Sequence, residues 1–294
     1  MSSKQLVFTV PDECDGMTAR VFLRRRCGVS ARILTQLKRE KDGILRNGQL
    51  LKTIDILRSG DLIVLNLPED KSEIVPVKGE LDILYEDENI LAVNKPAFMP
   101  VHPTKVHQLD TLANIVSYRQ NKTGESFVFR AVNRLDRNTS GIILIAKDKF
   151  TSTALSNSVE KTYFAVCEGE LEKSGTIDVP IMLSPDSKIK RIADQNGSPA
   201  VTHFEPVFSN GTHTLIKLRL ETGRTHQIRC HMSYIGYPLA GDDLYGGSLD
   251  LINRQALHCG YTSFIHPITE ERIEIKSPIP KDFVSAFPWI DEVV

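Results

Sequence analysis

Between residues 18 and 39 the apolar positions recur at helical spacing, and most polar positions between them are basic. Thr18 can start a short helix over residues 18–26 that ends near Gly28. Ser30 can cap a second, in which Ile33, Leu34 and Leu37 share one face while Arg32, Lys38 and Arg39 line its flank. The pattern then changes to strand-like runs. Gly43–Gly48 carries a turn signal at Asn47-Gly48, and Asp61–Leu65 follows Ser59-Gly60 as a short apolar strand.

Residues 67–80 are polar, contain two prolines and lack periodicity, which predicts a linker. Beyond them, residues 82–85 and 90–94 read as strands flanking the turn Glu86–Asn89. Lys95-Pro96 closes this hairpin, and a loop begins at Val101-His102-Pro103. Leu112, Ile115 and Val116 mark a helix capped by Asp110 or Thr111. Strand-like runs at 127–132 and 142–146 bracket a polar segment, and further strands are expected at 162–166 and 201–205. Residues 205–208 and 214–220 form a hairpin through Asn210-Gly211. Hairpins outnumber helices, and no Gly-rich strand-to-helix crossover occurs. The expected architecture is therefore a small basic α+β domain (1–66), a linker (67–80) and an α+β domain (81–294). The latter has a mixed, mostly antiparallel sheet with flanking helices and is not a doubly wound nucleotide-binding fold.

Composition adds exclusions. No apolar run approaches the roughly 18 residues needed to span a membrane, and the first residues lack the features of a secretory leader. Five scattered cysteines without a Cys-x-x-Cys pair fit a reducing, cytoplasmic setting with neither disulfide framework nor zinc site. The net charge of −1 conceals an asymmetry: residues 1–65 hold 12 Lys and Arg against 7 Asp and Glu, and residues 66–100 hold 3 against 8. A basic first module suits contact with a polyanion, although a solvated charged surface would look the same.

The candidate chemistry lies in two segments. Arg134-Leu-Asp-Arg-Asn-Thr-Ser-Gly141 sits between two apolar strands, so Asp136 is a carboxylate at a strand exit, followed by small polar residues that can order a tight loop. A lone Asp in such a turn is most often structural. The second segment, Glu221-Thr-Gly-Arg-Thr-His-Gln-Ile-Arg-Cys-His-Met232, changes that balance. Thr225 can cap a helix there and Gly236 can end it, with Ile228, Met232 and Ile235 as the apolar stripe. Arg229 falls on the border of the stripe, half-buried, and such an Arg needs a carboxylate partner. Zinc on His226, Cys230 and His231 is disfavoured by the five-residue spacing of the histidines, so no metal is expected.

Together these residues resemble the RluA family of pseudouridine synthases. Arg134-Leu-Asp-x-x-Thr-Ser-Gly141, Lys161-Thr-Tyr163 and Gly223-Arg-Thr-His-Gln-Ile-Arg229 match three successive family motifs. Asn94-Lys95-Pro96 with His102-Pro103 resembles the opening motif, and Leu257-His258 the late one. The resemblance spans roughly residues 80–285. It implies that Asp136 attacks the target uridine, Tyr163 stacks on the flipped base, Arg229 pairs with Asp136, Arg134 fills the gap left by the extruded nucleotide, and Arg224 and His226 help hold RNA. Residues 12–66 resemble the small RNA-binding module shared with ribosomal small-subunit protein S-four, which makes Arg24, Arg25, Arg32, Lys38 and Arg39 candidate phosphate contacts. Two departures stand out: Asn133 occupies a position where the family usually has His, and the stretch from Lys147 to Tyr163 is several residues shorter.

The physical logic agrees with this isomerase reading. Isomerising a uridine inside folded RNA requires taking the base out of its stack, and an aromatic platform can receive it. A carboxylate nucleophile must be ionised, which a neighbouring Arg favours. Detaching and reattaching one uracil consumes no redox equivalent or group donor, so no cofactor is expected. The expected substrate is ribosomal RNA, with transfer RNA second, modified by a monomer. The competing classes are a non-catalytic RNA-binding or ribosome-assembly protein, and a sugar-bond hydrolase that would need a second carboxylate.

Overall fold

The computed structural model describes residues 5–67, 74–156 and 158–293. Residues 5–67 carry a sheet and a core of their own. Strand β1 (Gln5–Thr9) is followed by α1 (Ala19–Val21), α2 (Ala31–Leu37), β2 (Ile44–Arg46), β3 (Gln49–Leu50) and β4 (Leu62–Asn66), and the strands pair in the order β1-β4-β2-β3. Thr18 and Ser30 cap the two helices, each accepting a backbone N–H in its side-chain oxygen. Ile33, Leu34 and Leu37 are buried. The expected helix over 18–26 differs in one respect. After one turn it widens, and the Cys27 N–H reaches the Phe22 carbonyl five residues back, a π-turn.

The larger region begins with β5 (Ile83–Glu86), β6 (Ile90–Lys95), α3 (Leu112–Thr123), β7 (Arg130–Ala131), β8 (Ser140–Ala146) and α4 (Lys149–Leu155). It continues with β9 (Glu160–Glu168), β10 (Gly175–Asp178), β11 (Ile181–Leu183), β12 (Arg191–Ala193), β13 (Val201–Ser209) and β14 (His213–Leu220). Helix α5 (Gln227–Tyr234), β15 (Leu257–Ile265), β16 (Arg272–Lys276) and α6 (Lys281–Ala286) complete it. Among the described residues, the main sheet runs β10-β13-β14-β9-β15-β8-β6-β5, with β16 on β15 and β7 on β8. Its strands are antiparallel except β8 and β15, which are parallel. The α+β reading with a mixed, mostly antiparallel sheet is what the chain adopts. Strand β8 is buried along its whole length, as its uninterrupted apolar run requires of a strand covered on both faces. Asn210-Gly211 joins β13 to β14 as the sequence predicts.

One expectation is corrected, and two contacts bear on the domain division. Only Arg130–Ala131 of the predicted strand 127–132 joins the sheet as β7, because side chains take neighbouring carbonyls: Gln120 donates to Phe127 and Arg130 to Val128. Part of the predicted linker, residues 68–73, lies outside the described residues. Residues 74–77 are not free: Ser117 donates to the Ile74 carbonyl, and Asn114 to that of Val75. Finally, Phe150 of α4 is buried in the core of the small domain, its ring edge-on to Phe8 with centroids 5.9 Å apart.

Candidate active site

The loop 133–139 enters β8 from a position fixed on several sides. Asn133 spans the loop's mouth, donating its amide to the Ile142 carbonyl (2.9 Å) and accepting the Leu144 N–H (2.8 Å). The residue that departs from the family pattern thus pins both ends of the loop without a titratable group. The Thr139 N–H donates to the Asp136 carbonyl (3.0 Å), closing the turn. Below the loop, Lys95 Nζ donates to the carbonyls of Arg137, Pro96 and Met99. Arg254 donates to the Asn138 carbonyl and to Ser140 Oγ, and Gln255 to Thr139 Oγ1. Both Lys95 and Arg254 are buried. Burial first, and then the Arg254 charge, push the Lys95 ammonium down to about 7.

Asp136 keeps about a quarter of its side chain accessible, at 23%. Its Oδ2 faces Arg229 Nη1 at 3.5 Å and His226 Nε2 at 3.8 Å. Helix α5 starts one residue later than predicted. Its N-cap is His226, in the left-handed region at φ 57°, and not Thr225. The Gln227 side chain sets this start by accepting from the Arg224 N–H and the Thr222 hydroxyl. Arg229 is buried where the sequence predicts a half-buried border position. Its hydrogen-bonded partner is not Asp136 but Asp242, which accepts Nε–H at 2.6 Å and Nη2–H at 2.7 Å. Burial opposes the Arg229 charge, and the Asp242 carboxylate more than restores it. Tyr245 lies beneath the guanidinium, 4.9 Å from its ring centroid, and its hydroxyl is 3.1 Å from His226 Nδ1. Burial lowers the His226 imidazole against the pull of Asp136.

Tyr163, on β9, is buried beside this group. Burial holds its phenol well above its ordinary value, and Cys259 and the Asp136 charge add to that. A cavity of about 60 Å³ brings Asp136, Tyr163, Arg229, His226, Arg134 and Arg224 together. The cavity is small and opens to solvent at its rim. Arg134 and Arg224 form that rim. Both are exposed, Arg134 reaching Thr225 Oγ1 at 3.5 Å and Arg224 the Pro199 carbonyl at 3.0 Å. The rival metal set is divided: His231 uses one nitrogen on Thr202 and the other on the Val179 carbonyl, while Cys230 packs with Ile181 and Ala200.

The basic residues of the small domain line no part of this cavity. Arg24, Arg25, Arg32, Lys38 and Arg39 are all exposed, but Arg24 donates to the Val29 carbonyl at 2.8 Å. Sequence reasoning missed Asp242, Tyr245 and Arg254, and gave Lys95 only as part of the opening family motif. The signal for the first two was Gly241-Asp-Asp-Leu-Tyr-Gly-Gly247, an acidic turn with an aromatic, shortly after an Arg in need of a carboxylate.

The profile of the family described as RNA pseudouridylate synthase matches residues 89–234. The chain is 42% identical over 267 residues to the uncharacterized RNA pseudouridine synthase YjbO of Bacillus subtilis (strain 168), covering 87% of this chain and 93% of that protein. It is 34% identical over 301 residues to ribosomal large subunit pseudouridine synthase D of Xylella fastidiosa (strain Temecula1), covering 93% and 89%. Among solved structures, human RNA pseudouridylate synthase domain containing 4 shares the fold, with a TM-score of 0.58 at 24% identity over 71% of this chain and 92% of that one. With relatives this similar along most of its length, the chain belongs to the RluA family of RNA pseudouridine synthases, isomerases of uridine in RNA.

Proposed function

We propose that the chain isomerises uridines in ribosomal RNA and that Asp136 is the attacking carboxylate. The observation that carries this reading is the meeting of Asp136 with Arg229 at 3.5 Å in one cavity with Tyr163. The substrate class follows from the relatives named for the ribosomal large subunit, of which one is 34% and another 38% identical to this chain. With ribosomal RNA as its substrate, the enzyme is proposed to work in the cytoplasm.

In this reading a uridine leaves its stack and enters past Arg134 and Arg224. Arg134 fills the vacated space, while Arg224 and His226 hold the displaced strand. Tyr163 serves as platform for the base. With its phenol held protonated, it offers a π-face and a hydroxyl donor but no phenolate base. Asp136 attacks the ribose C1′ as the N1–C1′ bond breaks and its electron pair stays on uracil N1. The uracil turns within the cavity, and C5 then attacks C1′ and displaces Asp136 as a free carboxylate. The proton lost from C5 and the one gained at N1 balance.

The test is Asp136→Asn, which keeps size and removes the nucleophilic charge. Conversion of uridine in ribosomal RNA is expected to cease while RNA affinity holds within about two-fold, since the group serves the transition state and not binding. Turnover by the purified variant would refute the assignment. Mapping pseudouridines in ribosomal and transfer RNA from cells with and without the protein tests the substrate class. Sites lost only from transfer RNA would overturn it.

A further inference from the structure

Asp242 holds most of the hydrogen-bonding capacity of Arg229. Its two oxygens take Nε–H and Nη2–H in a fork at 2.6 and 2.7 Å, the geometry of a strong charge-assisted pair. Only Nη1 is left to face Asp136, at 3.5 Å, well beyond the roughly 2.7–2.9 Å of such a bond. Asp242 itself is 1% exposed, and its turn is anchored by its N–H on the Leu239 carbonyl and by the Tyr245 N–H on its own carbonyl. The same turn thus places the Tyr245 ring beneath the guanidinium at 4.9 Å. The Tyr245 hydroxyl in turn accepts the Arg191 N–H at 2.8 Å. Carboxylate and ring together leave the guanidinium plane little freedom.

Taking Asp136 as the attacking group, we propose that Asp242 is a positioning residue that holds Arg229 back from it, so that the cation faces the nucleophile without closing a fork over it. A buried guanidinium without Asp242 would have Asp136 as its nearest carboxylate and would take both its oxygens. The group that must approach the uridine would then be occupied. Titratable side chains that face Asp136 from other elements include Lys95 at the end of β6, Tyr163 on β9, His226 at the start of α5 and Arg229 within it, and none of them offers Arg229 a carboxylate in place of Asp242.

The experiment uses the full chain and large-subunit ribosomal RNA from cells lacking the protein. Wild-type enzyme is the control: if it forms no pseudouridine there, the substrate reading fails and the inference is not what failed. With an active wild type, Asp242→Asn is expected to lower kcat about 100-fold, the scale of a misplacement near 1 Å, with the half-saturating RNA concentration unchanged. Unchanged kcat, or a rise in the half-saturating concentration alone, overturns the proposal. Because removing one member of a buried pair can prevent folding, a second comparison decides independently. Arg229→Gln is measured alone and combined with Asp242→Asn, where Gln and Asn can hydrogen-bond as a neutral pair. If Asp242 acts through Arg229, the double variant is no slower than Arg229→Gln. A further tenfold loss in the double variant would assign Asp242 some other role and sink the proposal.

Discussion

Arg254 and Asp282 form a bidentate ion pair, at 2.6 and 2.9 Å, that ties α6 to the underside of the Asp136 loop. Arg254 is 1% exposed and spends its other N–H groups on the Asn138, Gln255 and Leu257 carbonyls and on Ser140 Oγ. The guanidinium therefore acts as a bracket between α6 and the Asp136 loop.

The two partners differ in exposure, and this sets the expected cost. Asp282→Ala leaves a buried cation uncompensated, for which losses of about 3–5 kcal/mol are usual. Asp282 is 42% exposed at its side chain, so water can replace part of it and the lower end, roughly 3 kcal/mol, is expected. Glu274→Ala, which breaks a solvent-exposed pair with Arg272, should cost far less, because water screens that pair. Urea unfolding of the three proteins checks the ranking, and equal losses would refute the bracket.

Gly141 closes the Arg134–Gly141 motif for a steric reason. Its φ is +116°, and a Cβ there would stand 2.3 Å from the Cys259 carbonyl oxygen, where the parallel strands β8 and β15 meet. Gly141→Ala combines backbone strain of about 1–3 kcal/mol with a clash against backbone that no side-chain rotation relieves. A fall in the unfolding free energy beyond about 2 kcal/mol is expected, with loss of activity as the loop's anchor shifts. A variant as stable as the wild type would show that β15 can move aside.

Much of this was legible in the chain because local chemistry decides it. Ser30 caps α2, the Asn210-Gly211 turn makes its hairpin, and the apolar run Ile142–Ala146 becomes a covered strand. The carboxylate, the aromatic and the arginine meet in one cavity although 27 and 93 residues separate Tyr163 and Arg229 from Asp136. What was not legible depends on tertiary partners. Arg229 announced its need for a carboxylate, but nothing local says that Asp242 meets that need in full and Asp136 only in part. Lys95 was legible as the end of a hairpin and as part of the opening family motif, but its burial was not. It is buried because three carbonyls converge on it. Thr225 lost the cap to the competing hydrogen bonds of Gln227.

That same Lys95 should leave a pH signature in stability. Burial and Arg254 bring it down to about 7 from an unfolded value of 10.5, so between these limits the unfolded chain binds a proton that the folded chain does not. Stability then rises with pH across that window, and the cost of the buried charge is felt in full below about 7. Relative to Lys95→Met, the wild type should gain up to about 1.4 kcal/mol per pH unit between roughly pH 7 and 9. The three carbonyl acceptors favour the ammonium and would reduce the gain. Unfolding curves for both proteins at pH 6, 7, 8 and 9 measure it, and a difference flat with pH would show that Lys95 stays charged throughout.

The small domain's basic residues can be separated by what each already holds. Arg25, Arg32, Lys38 and Arg39 are exposed and are expected to neutralise phosphates. Each lost contact flattens the dependence of log affinity on log salt by about 0.7–0.9. Replacing all four with Gln should therefore reduce the slope by roughly 3 while leaving stability and the rate at saturating RNA unchanged. Arg24 is different, because its guanidinium is committed to the Val29 carbonyl that follows its own helix turn. Arg24→Gln should move the unfolding midpoint more than the salt slope, with a cost of about 1 kcal/mol for the lost hydrogen bond. Filter binding between 50 and 200 mM salt, read beside urea midpoints, distinguishes the two kinds of arginine. A slope unchanged by the fourfold replacement would remove the small domain from the RNA-binding surface and leave it as a cap held on α4 by Phe150.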